Sequence, residues 1–134
     1  MTGVQTCALP ISRKEPKKED IVGTWFPDES SLRDMKNRGG YDPNVETKLI
    51  LRSDGSYELT NMPDWWLNRF AESHRTFESF SGNWSLWQSN FWLLNLNFPS
   101  GGTAVELFGQ RPPYRLNFVI GDPDSDRSMV FLKQ

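Results

Sequence analysis

From Asp20 onward, apolar side chains recur at alternate positions in short runs, and each run is closed by Gly, Pro, Asn, Asp or Ser. A two-residue period sends successive side chains to opposite faces, so the pattern restricts the chain to β-strands with one buried face. The first run is Ile21 to Phe26, where Ile21 and Trp25 share a face with Gly23 between them. Pro27 ends it, and Asp28 to Asn44, with Gly39-Gly40 and Asp42-Pro43, lacks strand character while leaving room for one helical turn near Ser31 to Asn37. Glu46 to Arg52 and Ser56 to Thr60 flank Ser53-Asp54-Gly55, a hairpin turn in which Gly takes positive φ without steric cost. Further strands are expected at Phe77 to Trp87, Phe91 to Phe98, Thr103 to Gln110, Tyr114 to Ile120 and Met129 to Lys133.

Tight turns join most of these runs, which favours antiparallel neighbours, since parallel pairs need crossovers of about a dozen residues or more. Eight such strands close into a small barrel whose interior is either filled by side chains or holds one small ligand. The expected fold is therefore all-β, an antiparallel up-and-down eight-stranded barrel, with a core around Trp25, Trp84, Leu94, Leu96, Leu116 and Phe118. One segment breaks the meander. Asn61 to Arg75 contains Trp66, Leu67 and Phe70 at helical spacing, which predicts a short helical cap between the third and fourth strands, from Asp64 as N-cap to Ser73.

The chain has 134 residues, with 15 basic against 17 acidic side chains. That balance lacks the basic surplus that binding to a phosphate backbone requires, which argues against nucleic acid as a partner. The longest near-apolar run, Phe91 to Phe98, falls far short of the roughly 20 residues of a membrane-spanning helix. The N-terminal end reads differently from the rest. Met1 to Ile11 carries no charge and no period, and Thr2 to Ile11 resembles the translation of a sequencing-library adapter, so 1–11 is set aside from the fold. Cys7 goes with it and takes away any argument for a disulfide, a reactive thiolate or a cysteine-based zinc site. Residues 12–19 have the charged composition of a linker, and 20–134 form the domain, with 11 basic and 15 acidic residues. A charged tether before a β-domain is what often follows the lipidated cysteine of a bacterial lipoprotein. The expected location is accordingly the cell envelope or the exterior ahead of the cytoplasm.

Gly23-Thr24-Trp25 on the first strand and Gly82-Asn83-Trp84 on the fourth, with the Asp54-Gly55 hairpin between them, give an order that resembles the small bacterial lipocalin-like, or calycin-type, domains. The ending from Tyr114 to Asp124 and on through Val130-Phe131 is similar to that of small bacterial proteins of this kind. The resemblance spans Asp20 to Gln134 and implies a barrel that binds a small hydrophobic molecule. In the larger lipocalins a basic residue near the last strands packs on the first-strand Trp. Arg115 and Arg127 lie in that region, but neither sits in a recognisable motif, and no such contact is carried over. Independently of the family, Gly23 and Gly82 leave room on curved strands, and Trp25 and Trp84, two residues on and on the same face, fill the barrel floor.

Catalytic equipment is sparse. His74, the only histidine, sits among Glu72, Ser73 and Arg75 with no nucleophile motif and reads as a solvated loop residue. One histidine cannot make a zinc site. Asp122, Asp124 and Asp126 alternate like the start of a calcium loop, but Arg127 and Lys133 stand where that loop needs Gly and Glu, so a hairpin turn with Pro123 setting φ is the better reading. Glu72, Glu78 and Glu106 have no spacing that marks an acid and base pair. No catalytic residue, metal ligand or cofactor is assigned.

The aromatic surplus is the informative feature. Trp65, Trp66, Phe70, Trp87 and Trp92 exceed what one barrel floor needs and are the candidate ligand-binding residues. The Trp65-Trp66 cap can plug the barrel, act as a lid over a small apolar ligand, or form a protein-binding hot spot. The leading expectation is a non-enzymatic barrel that binds a small hydrophobic molecule or is packed solid. The alternative is a protein-interaction module, of inhibitor or immunity type, that uses the barrel surface and the cap.

Overall fold

The computed structural model describes residues 14–122 and 124–134; the suspected adapter segment 1–11 and Pro123 lie outside them. Eight strands run in chain order: β1 (Gly23–Pro27), β2 (Lys48–Leu51), β3 (Ser56–Pro63), β4 (Phe77–Gln88), β5 (Trp92–Phe98), β6 (Gly101–Phe108), β7 (Arg115–Val119) and β8 (Ser128–Lys133). Each pairs antiparallel with its sequence neighbours, and β1 closes on β8 through Trp25 opposite Lys133 and Pro27 opposite Phe131. The result is a closed up-and-down barrel, consistent with a lipocalin-like fold. Two helices accompany it, α1 (Lys18–Ile21) and α2 (Glu29–Asn37).

The strands follow the alternation. Along β5, Trp92, Leu94 and Leu96 are buried and Leu93 and Asn95 lie half-buried on the other face. Boundaries move where backbone chemistry intervenes. β3 continues past Thr60 to Pro63 because Asn61, at φ 54°, absorbs a register shift between Leu59 and Met62 and returns Met62 to the core. Ile21, read as strand, is instead the last residue of α1, and β1 starts at Gly23. α1 begins at Lys18, inside the stretch 12–19.

The cap between β3 and β4 is present, but as consecutive turns instead of a helix. Trp66 N bonds Pro63 O at 3.1 Å, Asn68 N bonds Trp65 O at 3.4 Å, and Ala71 N bonds Asn68 O at 2.8 Å. Helical propagation is blocked at two places. The Trp66 carbonyl, which a helix would give to Phe70, accepts from Gly121 N at 3.1 Å, while Phe70 N turns to the Asn68 side chain at 2.9 Å. An Asn side chain that satisfies nearby N–H groups is a known competitor of helix. The longer helix lies earlier, as α2 between β1 and β2, where Asp28 caps it by accepting from Ser31 N at 2.8 Å.

One contiguous apolar core fills the barrel, and the six residues expected there, Trp25, Trp84, Leu94, Leu96, Leu116 and Phe118, all belong to it. At the floor, α1 closes the opening. Trp25 Nε1 donates to Ile21 O at 2.9 Å, Trp84 Nε1 donates to Arg52 O at 2.9 Å, and the Lys18 ammonium stands 5.9 Å over the Trp84 ring. Gly82 is required because a Cβ there would collide with the Asn97 carbonyl oxygen of the neighbouring strand. At the other Gly-x-Trp motif the Lys133 stem crosses Gly23, and its ammonium donates to Glu19 O at 3.1 Å. The basic residue beside the first motif is therefore Lys133, on β8 opposite Trp25.

Candidate functional site

The cap is held by packing on its inner side. Trp65 and Trp66 are 1% and 4% exposed. Trp65 meets Tyr41 edge-on at 5.2 Å between ring centroids, and the Arg127 guanidinium lies 4.8 Å from its ring. Trp66 stands edge-on against Phe80 at 5.6 Å and Phe118 at 5.3 Å, so its indole reaches the barrel interior. Both side chains sit in the opening as parts of the core.

A polar clamp holds the cap from outside. Tyr41 Oη donates to Asp64 Oδ1 at 2.6 Å and accepts from Trp65 N at 3.1 Å. Asp64 also takes the backbone N–H of His74, at 3.1 Å to Oδ2, and His74 Nδ1 lies 3.0 Å from the same oxygen. Partial burial alone would raise the Asp64 pKa, but hydrogen bonds from Tyr41, His74 and Thr76 outweigh it and hold the carboxyl below its ordinary value. Tyr41 moves the other way: burial and the Asp64 carboxylate push its phenol up to about 12.

His74 is thus a solvated residue whose ring is oriented by a carboxylate. The pair has the form of two members of a proton relay, yet the nearest hydroxyl in sequence, Ser73 Oγ, donates to Gly39 O at 2.5 Å and accepts from Arg75 N at 3.2 Å. Glu72 stands 4.0 Å from His74 Nε2. The arrangement ties the two ends of residues 64–74 together. Asp64, expected as the N-cap of a helix, instead accepts from His74 N and from the Tyr41 hydroxyl, partners too distant in the chain for local spacing to reveal.

The other acidic candidates are accounted for locally. Asp122 accepts from Asp124 N at 2.9 Å and its carbonyl accepts from Ser125 N at 2.8 Å, a side-chain-stabilised turn. Glu106 faces outward on β6, where Asn117 Nδ2 donates to it at 2.8 Å. It borders a hollow that neither Glu72 nor Glu78 reaches.

The five aromatic candidates divide into three groups. Trp65 and Trp66 plug the cap end, and Trp92, 8% exposed, continues the inner face of β5. Phe70 and Trp87 face solvent, 75% and 55% exposed. These five do not line one cavity. An outer stripe runs from Trp87 but does not include Phe70: Trp87 on β4 pairs across strands with Leu93, and Leu93 shares a hollow of about 220 Å³ with Trp66, Leu67, Ala104, Glu106 and Val119. Leu67, 46% exposed, stands at the cap edge of the stripe, three residues before Phe70.

Among the described residues, no helix is long and apolar enough to cross a membrane. Compared with known proteins, the chain matches no family model, no curated protein and no solved structure.

Proposed function

We propose that the protein is a non-enzymatic, lipocalin-like barrel of the small bacterial kind that works as a protein-binding module through its outer surface. The observation that carries this reading is the position of the cap tryptophans. Trp65 and Trp66 belong to the packed core, which supports a plug over a ligand lid. Exposed Trp87 beside half-buried Leu93, and exposed Leu67 on the same hollow as Leu93, support a partner surface, because an exposed aromatic flanked by apolar side chains is the usual anchor of a binding site.

Photo-crosslinking tests the assignment. A benzoylphenylalanine placed at Trp87 or Leu67 should give a discrete adduct in extracts of the source cells, absent from a control at Glu58 on the outer face of β3 and abolished by Leu93→Lys. Equal labelling at Glu58, or an adduct indifferent to Leu93→Lys, would contradict it. A small apolar molecule that co-purifies and resists removal until unfolding would instead restore the ligand-carrier reading.

A further inference from the structure

A second concavity, of about 250 Å³, lies between α2 and the turn at residues 41–45. Its floor is apolar: Met35, 6% exposed, and Tyr41, 2% exposed, whose hydroxyl is already committed to Asp64. Leu32, 48% exposed, and Val45 form walls. Two cations border the hollow, Arg33 and Lys36, three residues apart on α2 and so on neighbouring positions of one helix face.

Among the described residues neither the Arg33 nor the Lys36 side chain has an ion-pair or hydrogen-bond partner, whereas Arg38 on the same helix pairs with Asp34 at 3.8 Å. Asp42, exposed at the rim, accepts from Asn44 N at 2.9 Å, so the hollow carries two cations against one carboxylate. Two free cations over an apolar floor, in a domain with more acidic than basic residues, complement an anion with an apolar body. The volume is below the roughly 300 Å³ at which drug-sized sites begin, which favours a small molecule.

We propose that this hollow binds a small apolar monocarboxylate, an aryl or medium-chain alkyl acid, with its body on Met35 and the Tyr41 ring and its carboxylate between Arg33 and Lys36. The site is separate from the outer stripe and does not depend on the protein-binding reading. The test is an amide-resolved NMR titration of the full chain with phenylacetate, with phenylacetamide as the neutral isostere.

Saturating shifts should cluster at residues 32–36 and 41–45, and the acid should bind at least about 10-fold more tightly than the amide, the scale of one charge-assisted hydrogen bond. The double variant Arg33→Gln, Lys36→Gln should remove that preference and leave the amide affinity unchanged. Both positions are exposed, so an unchanged spectrum elsewhere certifies the fold. Equal binding of acid and amide, an acid titration that ignores the double variant, shifts centred elsewhere, or no shift at concentrations on the order of 10 mM would each overturn the proposal.

Discussion

Tyr41 and Asp64, 23 residues apart in sequence, are joined by a 2.6 Å hydrogen bond that ties the segment before β2 to the first residue of the cap. Asp64 is the hub, since its carboxylate also gathers the backbone and ring of His74. Asp64→Asn keeps the shape but removes the charge that strengthens these bonds. The expected loss is about 2 kcal/mol, the scale of hydrogen bonds to a charged group, read as a lower midpoint in urea denaturation. A midpoint equal to that of the parent would mean that the clamp contributes nothing.

The clamp also predicts behaviour at both ends of the pH scale. Asp64 has a folded pKa held below its ordinary 3.8, so its contribution is fully present above 3.8 and is lost as pH falls through the lower folded value. Tyr41, raised from 10.0 to about 12, contributes stability that is present below 10.0 and is lost as pH rises through 12. In an ultraviolet phenolate titration, the difference between the parent and Tyr41→Phe should be one phenol ionising near 12; a difference centred near 10.0 would remove the clamp from the account.

Gly82 and Gly55 should respond differently to the same substitution. A Cβ at Gly82 meets the Asn97 carbonyl, which cannot move without disturbing the β4–β5 ladder, whereas Gly55 has open space and only a positive φ of 91°. Gly82→Ala should cost about 2 kcal/mol or more, as overpacking against backbone does, and Gly55→Ala about 1 kcal/mol from conformational strain. Chemical denaturation of the two variants side by side decides it, and a reversed order would contradict the packing described for the barrel floor.

These positions show why parts of the fold could be read from sequence and parts could not. Gly82 and Trp84, like the alternating Leu94 and Leu96, are local two-residue patterns, and a strand's buried face follows from them directly. Trp66, Leu67 and Phe70 have the spacing of a helix, while the bonds that prevent one come from Gly121 on a distant turn and from the Asn68 side chain. Ile21 follows the strand period but closes the floor from α1, through a carbonyl that accepts from Trp25. His74 reads from sequence as a solvated loop residue for want of a nucleophile motif, and the carboxylate that orients it, Asp64, is ten residues away across a loop whose closure no spacing encodes. The outer stripe escaped notice because Leu67, Leu93, Ala104 and Val119 come from four separate segments.

The two exposed-versus-buried assignments among the tryptophans separate cleanly by stability. Trp66, 4% exposed, packs on Phe80 and Phe118, so Trp66→Ala should cost about 3–5 kcal/mol, as large aromatic truncations in cores do. Trp87, 55% exposed, should cost about 1 kcal/mol or less when replaced by Ser. Thermal or urea unfolding of both variants checks this, and similar losses would mean that Trp87 is structural.

Binding at the outer surface requires that the interior be occupied by the protein's own side chains. Titration with the neutral apolar fluorophore N-phenylnaphthylamine, before and after Trp66→Ala, tests it most directly. The predicted result is no saturable quenching of the interior tryptophans in the parent and the appearance of a 1:1 interior site once the indole against Phe118 is removed. Saturable binding to the parent, with quenching of the buried tryptophans and competition by other neutral apolar molecules, would contradict the account.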